Sequence, residues 1–297
     1  GKERGDPAAV GAEAVGGEML GSDAPLAAAR GAAEVGAPSP GADDDRGRSL
    51  HAAVSSPALR LLFDYLSEVT ATWLVDDEAA VAAATDGGER DAAFAAKLRQ
   101  QLDVLRASDF EIGMDEARRL NGSQSKVGYL EVYSGPELTL CIFVLQQGAR
   151  IPLHDHPQMR VFGRLLFGRM RLISYTPEGI PVVEPDPADG ERPPPGSCWA
   201  SLQHNRELGP LPTTYELDPR NGNIHELHAI EDTAFFDVVT PPYNIVAGRG
   251  CTYYAATQDS EGKNRFLMVP TNVAGFTTQA LEYHGPRFIP GRSRPTW

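Results

Sequence analysis

The chain has 297 residues, of which 41% are hydrophobic and 23% charged, enough for one large globular domain or two small ones. Its 27 Lys and Arg against 40 Asp and Glu give a formal net charge of −13, which argues against a nucleic-acid surface or a basic membrane-binding patch. Three cysteines without a C-x-x-C pair exclude a disulfide scaffold and suit a reducing compartment. With neither a transmembrane run nor a secretory signal in view, we expect a cytosolic or nuclear protein.

Residues 1–50 are rich in Gly and Ala and contain no aromatic residue. Such a stretch cannot bury enough apolar surface to offset an ordering entropy of roughly 1–2 kcal/mol per residue. We therefore predict a disordered low-complexity tail.

Residues 51–110 are predicted to form a helical segment that packs on the following domain. Apolar residues recur at helical spacing from Pro57 to about Leu74, and a second such pattern runs from about Asp91 to Arg106. The leucine stripe of the first helix indicates core packing, with a partner surface as the alternative.

From residue 120 to the end the apolar period changes to two, and Gly-containing turns separate short segments rich in β-branched and aromatic residues. Ten such strands without intervening helices predict a mainly β sandwich or small barrel. The predicted strands are Val127–Ser134, Leu138–Gln146, Met159–Phe167, Met170–Tyr175, Ser197–Leu202, Thr213–Leu217, Ile224–Ala229, Ala234–Thr240, Cys251–Ala255 and Arg265–Val269.

Two histidines, His154 and His156, stand two residues apart in an extended segment. Side chains at i and i+2 of a strand project to one face, so the two imidazoles can bind one metal ion while Asp155 points away. A bare H-x-H is also compatible with surface or hydrogen-bonded core histidines.

A third ligand is expected from a later strand, and His225 in the segment Asn223-Ile-His is our candidate. His228 competes with it, but the opposite parity of His228 in a strand would turn it away from His225. The remaining histidines, His51, His204 and His284, are predicted to be exposed rather than ligating.

Three neutral imidazoles without a carboxylate would leave a divalent metal its full charge and up to three open positions. Such a centre suits O2 binding beside an anionic thiolate. The same triad could hold zinc and a hydrolytic water, and the number of histidines does not separate the two.

The spacing of these residues resembles the cupin family, whose fold is a double-stranded β-helix or jelly-roll-like barrel. Gly148 and Gly168 flank the two histidines as in the first cupin motif. The usual cupin carboxylate follows the second histidine by four or five residues, and Arg160 and Val161 hold those places. The resemblance therefore implies a three-histidine centre without the glutamate.

More specifically, the chain resembles the thiol dioxygenases that comprise cysteamine (2-aminoethanethiol) dioxygenase and the plant cysteine oxidases. The resemblance covers about Ala95 to Pro290, including a helix at 97–105. It rests on residues 151–157 (IPLHDHP), 165–168 (LLFG), 223–225 (NIH), 236–243 (FDVVTPPY), 248–254 (GRGCTYY) and 285–288 (GPRF).

This resemblance implies a non-haem Fe(II) enzyme, commonly monomeric, that inserts both atoms of O2 into a thiol to give a sulfinic acid. In the family the substrate is the N-terminal cysteine of a protein or a small aminothiol such as cysteamine. Arginylation and degradation of the oxidised end can make the stability of the target depend on oxygen, as in a hypoxia response.

Residue by residue, the resemblance implies that His154, His156 and His225 are the iron ligands and that Asp237 is the active-site acid. A carboxylate in the apolar strand around Asp237 needs a partner when buried. A hydrogen bond to a loop or an arginine is one interpretation; orienting an imidazole or contacting the substrate amine is the other.

Tyr243 is a candidate for the substrate pocket, with turn packing as the alternative. Cys251 and Tyr253 match the pair that can form a thioether crosslink in the cysteamine enzyme, although a small buried Cys beside a core Tyr is the more frequent case. Asn244 and Gly250 depart from the residues usual in the family, so loop contacts to substrate are expected to differ.

The sequence thus favours an iron-dependent thiol dioxygenase without nucleic-acid or membrane partners. The alternative from another class is a cupin with zinc or no metal, acting as a binding module or a hydrolase. Metal content separates the two hypotheses.

Overall fold

The computed structural model describes residues 56–73, 87–179, 193–260 and 264–290. The predicted tail at 1–50, together with His51, lies outside the described residues. No helix in these four ranges is both long and apolar enough to cross a membrane.

Among the described residues, three helices and one 3-10 turn precede the first strand. Helix α1 begins after Ser56, whose hydroxyl accepts a hydrogen bond from the Leu59 amide at 3.2 Å and so caps the helix. The helices are α1 (Pro57–Trp73), α2 (Gly87–Asp103) and α3 (Asp115–Arg118), and the 3-10 turn is Ala107–Phe110. Helix α1 thus ends close to its predicted boundary, and α2 lies about four residues earlier than predicted.

Twelve strands follow in the described part of the chain. They are β1 (Val127–Ser134), β2 (Thr139–Leu145), β3 (Arg150–His154), β4 (Arg160–Phe167), β5 (Met170–Pro177), β6 (Cys198–Leu208), β7 (Thr214–Leu217), β8 (Ile224–Ala229), β9 (Thr233–Thr240), β10 (Tyr254–Gln258), β11 (Arg265–Pro270) and β12 (Gln279–Ala280). They form two six-stranded sheets with the orders β12-β1-β2-β9-β4-β7 and β10-β11-β6-β5-β8-β3.

The strand pairing identifies the fold. Strand β2 pairs with β9, β3 with β8, β4 with β7 and β5 with β6, all antiparallel. The chain from β2 to β9 is therefore one long hairpin that folds over and divides its strands between the two sheets, which is the jelly-roll arrangement. The predicted mainly β, double-stranded β-helix fold of the cupins, with N-terminal helices, is confirmed.

Strand β9 is buried along its whole length because both of its faces are covered. Phe235 and Val239 point between the sheets into the barrel interior. Phe236 and Val238 point outward and pack against the helices. The helices thus cover the outer face of the first sheet, and the inner face of that sheet packs against the second sheet.

A buried arginine fixes the position of α2 on the barrel. The Arg164 guanidinium, on the outer face of β4, donates to the Asp103 carbonyl at 2.6 Å and to the Leu105 carbonyl at 3.2 Å. These carbonyls lie at and just beyond the end of α2, where helix carbonyls lack intrahelical partners, and a cation is favourable at that end of the helix dipole.

Removing the aromatic contact between the helical segment and the barrel should cost much of the stability. Phe110 is fully buried, and its ring centroid lies 4.6 Å from that of Phe236 on β9. We expect Phe110→Ala to lower the free energy of unfolding by about 3–5 kcal/mol in urea titration, because it opens a cavity in a packed core. A loss below about 1 kcal/mol would mean that the helical segment contributes little to the barrel.

Candidate metal centre and its rim

Three imidazoles meet at one end of the barrel. His154 ends β3 and is the direct cross-strand partner of His225 on β8, and His156 lies in the loop that follows β3. All three residues are buried, and one potential ligand atom from each lies within 4.8 Å of the other two. The Nε2 atoms of His154 and His156 are 3.2 Å apart. The structure therefore brings together the three predicted ligands.

Neighbouring carbonyl groups orient two of the rings. The His154 Nδ1 lies 2.7 Å from the Pro152 carbonyl oxygen, and the His225 Nδ1 lies 3.4 Å from that of Asn223. A carbonyl only accepts, so Nδ1 carries the proton and the Nε2 lone pair is left free to bind a metal.

Burial keeps these rings neutral. It lowers the pKa of His154 to about 4, and together with the neighbouring histidines it holds the pKa values of His156 and His225 well below the usual range. The Nδ1 of His156 is buried without a hydrogen-bond partner among the described residues. Three neutral nitrogen donors without a carboxylate fit a divalent transition metal.

Asn223 joins the loop that carries His156 to the start of β8. Its side-chain oxygen accepts from the His156 amide at 3.0 Å, and its side-chain nitrogen donates to the His156 carbonyl at 2.7 Å. This reciprocal pair fixes the backbone of one ligand relative to the strand that carries another. Sequence reasoning used Asn223 only as part of a motif and did not predict this contact.

Residues 241–253, which we call the rim segment, connect β9 to β10 at the same end of the barrel. Tyr243 stacks on His156 with ring centroids 5.0 Å apart, and its hydroxyl donates to the Asp155 carbonyl at 2.7 Å. Tyr253 forms an isolated antiparallel bridge with His154, and their ring centroids are 6.1 Å apart. Both predicted tyrosines therefore contact the histidine cluster.

Cys251 lies outside any strand, so the predicted strand from Cys251 to Ala255 is wrong at its start, and β10 begins at Tyr254. The thiol nevertheless interacts with the hydroxyls of both Tyr243 and Tyr253, and burial raises its pKa to about 12. The contact between Cys251 and Tyr253 results from the loop conformation rather than from strand parity.

Asp237 faces the barrel interior from β9, between its cross-strand partners Cys141 and Gly163. Its Oδ1 accepts a hydrogen bond from the Tyr215 hydroxyl at 3.2 Å. Burial raises the pKa of Asp237 to about 7, against the opposite effect of that hydrogen bond. Within the described ranges, the hydrogen-bond partner of this carboxylate is thus a tyrosine rather than an imidazole, a loop or an arginine.

The other histidines within the described ranges lie away from the cluster. His228 faces the opposite side of β8, where its Nε2 is 3.3 Å from Glu226, and His284 is exposed. His204 was predicted to be exposed but is partly buried on β6, as the cross-strand partner of Ser174. Ser174 also pairs with His225, and its buried hydroxyl has no hydrogen-bond partner among the described residues.

Comparison with known proteins gives one consistent result. The PCO_ADO family model matches residues 95–286, which include the whole histidine cluster and the rim segment. Plant cysteine oxidase 2 of Arabidopsis thaliana is 31% identical over 207 residues, covering 64% of this chain and 72% of that protein. Human 2-aminoethanethiol dioxygenase is 28% identical over 222 residues, covering 65% of this chain and 81% of that protein.

Among solved structures, a double-stranded β-helix protein from Klebsiella pneumoniae is 15% identical and covers 48% of this chain and 94% of its own, with a TM-score of 0.30. The family match covers nearly the same residues as the predicted resemblance. It confirms that resemblance: this chain belongs to the PCO_ADO family of thiol dioxygenases.

Proposed function

We propose that the protein is a ferrous-iron thiol dioxygenase that converts R–SH and O2 into the sulfinic acid R–SO2H. The observation that carries the proposal is the cluster of three buried, neutral histidines without a carboxylate in a chain of the PCO_ADO family. His154, His156 and His225 would hold the metal through one nitrogen each. When bound, ferrous iron would supply positions at which a thiol and dioxygen can react.

The substrate we propose is the N-terminal cysteine of a peptide or protein, or a small aminothiol such as cysteamine. Both carry an ammonium group beside the thiol, and the net charge of −13 favours the approach of cations. Tyr215 donates to one oxygen of Asp237, and we propose that the other oxygen accepts a hydrogen bond from that ammonium group.

The rim residues have two proposed roles. Tyr243 covers one face of His156 and would keep bulk water from that side of the bound thiol. The contact of Cys251 with Tyr253 would permit a thioether, with O2 as the oxidant that removes the two hydrogen atoms. We treat this crosslink as a modification of the site rather than as a step of turnover.

A mass-spectrometric assay tests the activity. The iron-loaded protein is incubated aerobically with a Cys-initiated peptide and, separately, with cysteamine. We expect a gain of about 32 Da, equal to two oxygen atoms, on at least one of them. The same peptide acetylated at its N-terminus is the control for recognition of the ammonium group. If neither thiol gains oxygen while iron is bound, the proposal is wrong.

A zinc-binding or metal-free cupin, acting as a binding module or a hydrolase, is the second candidate. The same three-histidine cluster supports it, because zinc also accepts three histidines and a water. Metal analysis of protein prepared with ample iron distinguishes the candidates: iron favours the dioxygenase, and persistent zinc favours the alternative.

We further propose that the protein acts as a monomer in the cytosol or the nucleus, where it would make the stability of N-terminal cysteine proteins depend on oxygen. All three cysteines are free thiols, which suits a reducing compartment. Localisation of a tagged full chain and its mass in solution test these two points.

A further inference from the structure

Asp155, between the first two histidines, directs all of its polar groups to one short stretch of the chain. Its backbone amide donates to the Thr252 carbonyl at 3.1 Å, and its own carbonyl accepts from the Tyr243 hydroxyl at 2.7 Å. Its carboxylate accepts from the Thr252 amide at 2.8 Å and from the Tyr254 hydroxyl at 2.9 Å. Four hydrogen bonds therefore connect this one residue to residues 243–254.

These bonds extend a strand contact. Strands β3 and β10 are the two outer strands of the second sheet, and the bridge between His154 and Tyr253 brings them together beside the histidine cluster. The pairing of Asp155 with Thr252 continues that bridge by one residue on each side. The backbone beside two candidate ligands is consequently paired with the rim segment rather than with a neighbour in the regular sheet.

The carboxylate is suited to this role because it is largely removed from water. Asp155 is only 9% exposed, and a buried carboxylate without partners is costly. The carboxylate accepts hydrogen bonds from the Thr252 amide, which belongs to the rim segment, and from the Tyr254 hydroxyl, which adjoins it. Moving the rim away would leave the carboxylate unsatisfied, so these bonds restrict the rim to one conformation.

We propose that Asp155 is a positioning residue that fixes the rim segment, and with it Tyr243, over His156, so that the loop that carries His156 and the rim segment move as one unit. The link to substrate binding rests on the proposed function; the link between loop and rim does not. Because coupling between two sites is reciprocal, occupation of the metal site should also protect the rim.

Hydrogen exchange of the full-length, metal-free protein tests the coupling without turnover. We expect Asp155→Ala to speed exchange of the rim amides, including that of Thr252, roughly tenfold or more, while the amides of β2 and β9 keep their rates. Tyr254→Phe removes one bond and should give a smaller increase. Asp155→Asn retains an acceptor for the Thr252 amide and should restore most of the protection. The matched control is Tyr283→Phe, which removes a buried hydroxyl bonded to the Pro286 carbonyl, away from the rim.

Ferrous iron added under argon should slow rim exchange in the wild type and do so less in Asp155→Ala. Kinetics with a Cys-initiated peptide add a readout that a general loss of stability would not give. Asp155→Ala should raise KM about three- to tenfold and change kcat less than about twofold. A mere loss of stability would give the opposite pattern, since an unfolded fraction lowers the apparent kcat and leaves KM unchanged.

Unchanged rim exchange in both Asp155→Ala and Tyr254→Phe would overturn the proposal, as would equal acceleration throughout the barrel. If Asp155→Ala does not fold, Tyr254→Phe decides by the same criterion, and Asp155→Asn should then exchange its rim amides at close to the wild-type rate. Failure of the proposed function would look different, because iron would not bind or thiols would not be oxidised. Hydrogen exchange of the metal-free variants would still report on the bonds between Asp155 and the rim segment.

Discussion

Replacing His156 with alanine is expected to abolish iron binding and thiol oxidation while the barrel stays folded. The imidazole is one of three that converge within 4.8 Å, and loss of one donor leaves two nitrogens to hold the ion. The barrel core, rather than this loop residue, supplies most of the stability. Iron content per chain measures metal binding, and the mass-spectrometric assay measures thiol oxidation. Far-UV circular dichroism and the urea midpoint of the metal-free protein measure the fold and its stability.

His228→Ala is the matched control, because His228 lies three residues from His225 but faces Glu226 on the outer side of β8. It should keep its iron and its activity. Retention of stoichiometric iron and full activity by His156→Ala would contradict the ligand assignment.

Replacing Asp237 with asparagine is expected to stabilise the metal-free protein at pH 8 and to impair oxidation of the thiol. Burial raises the pKa of Asp237 to about 7, whereas its ordinary value is 3.8. Between these values the folded state holds a proton that the unfolded state has released, so stability is full below pH 3.8 and falls as the pH rises through 7. At about 1.4 kcal/mol per pKa unit, the loss is about 4 kcal/mol.

Asparagine keeps the acceptor for the Tyr215 hydroxyl but carries no charge, so it should abolish this loss. The free energies of unfolding of variant and wild type should therefore diverge between pH 4 and pH 8, and the variant should become increasingly more stable than the wild type as the pH rises. Activity should fall by roughly 10²-fold if the carboxylate contacts the substrate amine or a transferred proton.

Asp218→Asn provides a control with the opposite sign. Hydrogen bonds from Asn221 and from the Arg220 amide outweigh burial and lower the pKa of Asp218. Its stabilising contribution is therefore present at neutral pH and lost in acid, so the asparagine variant should be the less stable one at pH 7. An Asp237→Asn variant with the pH dependence of the wild type would show that Asp237 is not held protonated by the fold.

The histidine cluster could be predicted from the two-residue spacing of His154 and His156 and from the motif that contains His225. His154 and His156 stand two residues apart, and the register of β3 against β8 then places His154 opposite His225. The same parity correctly turned His228 outward toward Glu226. Strand parity thus accounts for the facing of His154, His225 and His228, whereas the register shift between Ile151 and His154 and the loop that carries His156 do not follow from local periodicity.

Local periodicity failed for segments whose pairing partner lies outside the regular sheet or whose residues show no apolar alternation. The strand predicted from Cys251 begins at Tyr254, because Thr252 and Tyr253 pair with Asp155 and His154 instead of with β11. Strand β6 continues to Leu208, six residues beyond its predicted end, because its polar half pairs along β5 and shows no apolar alternation. The hydrogen bond from Tyr215 to Asp237 likewise depends on the packing of β7 beside β4 and β9.

The origin of the oxygen in the product tests the central claim most directly. The iron-loaded protein is supplied with isotopically labelled dioxygen in ordinary water, and the oxidised Cys-initiated peptide and cysteamine are analysed by mass spectrometry. Our account predicts a sulfinic acid in which both oxygen atoms carry the label. A sulfinic acid with the label in only one oxygen or in neither, or no sulfinic acid from either thiol with iron bound, would contradict it.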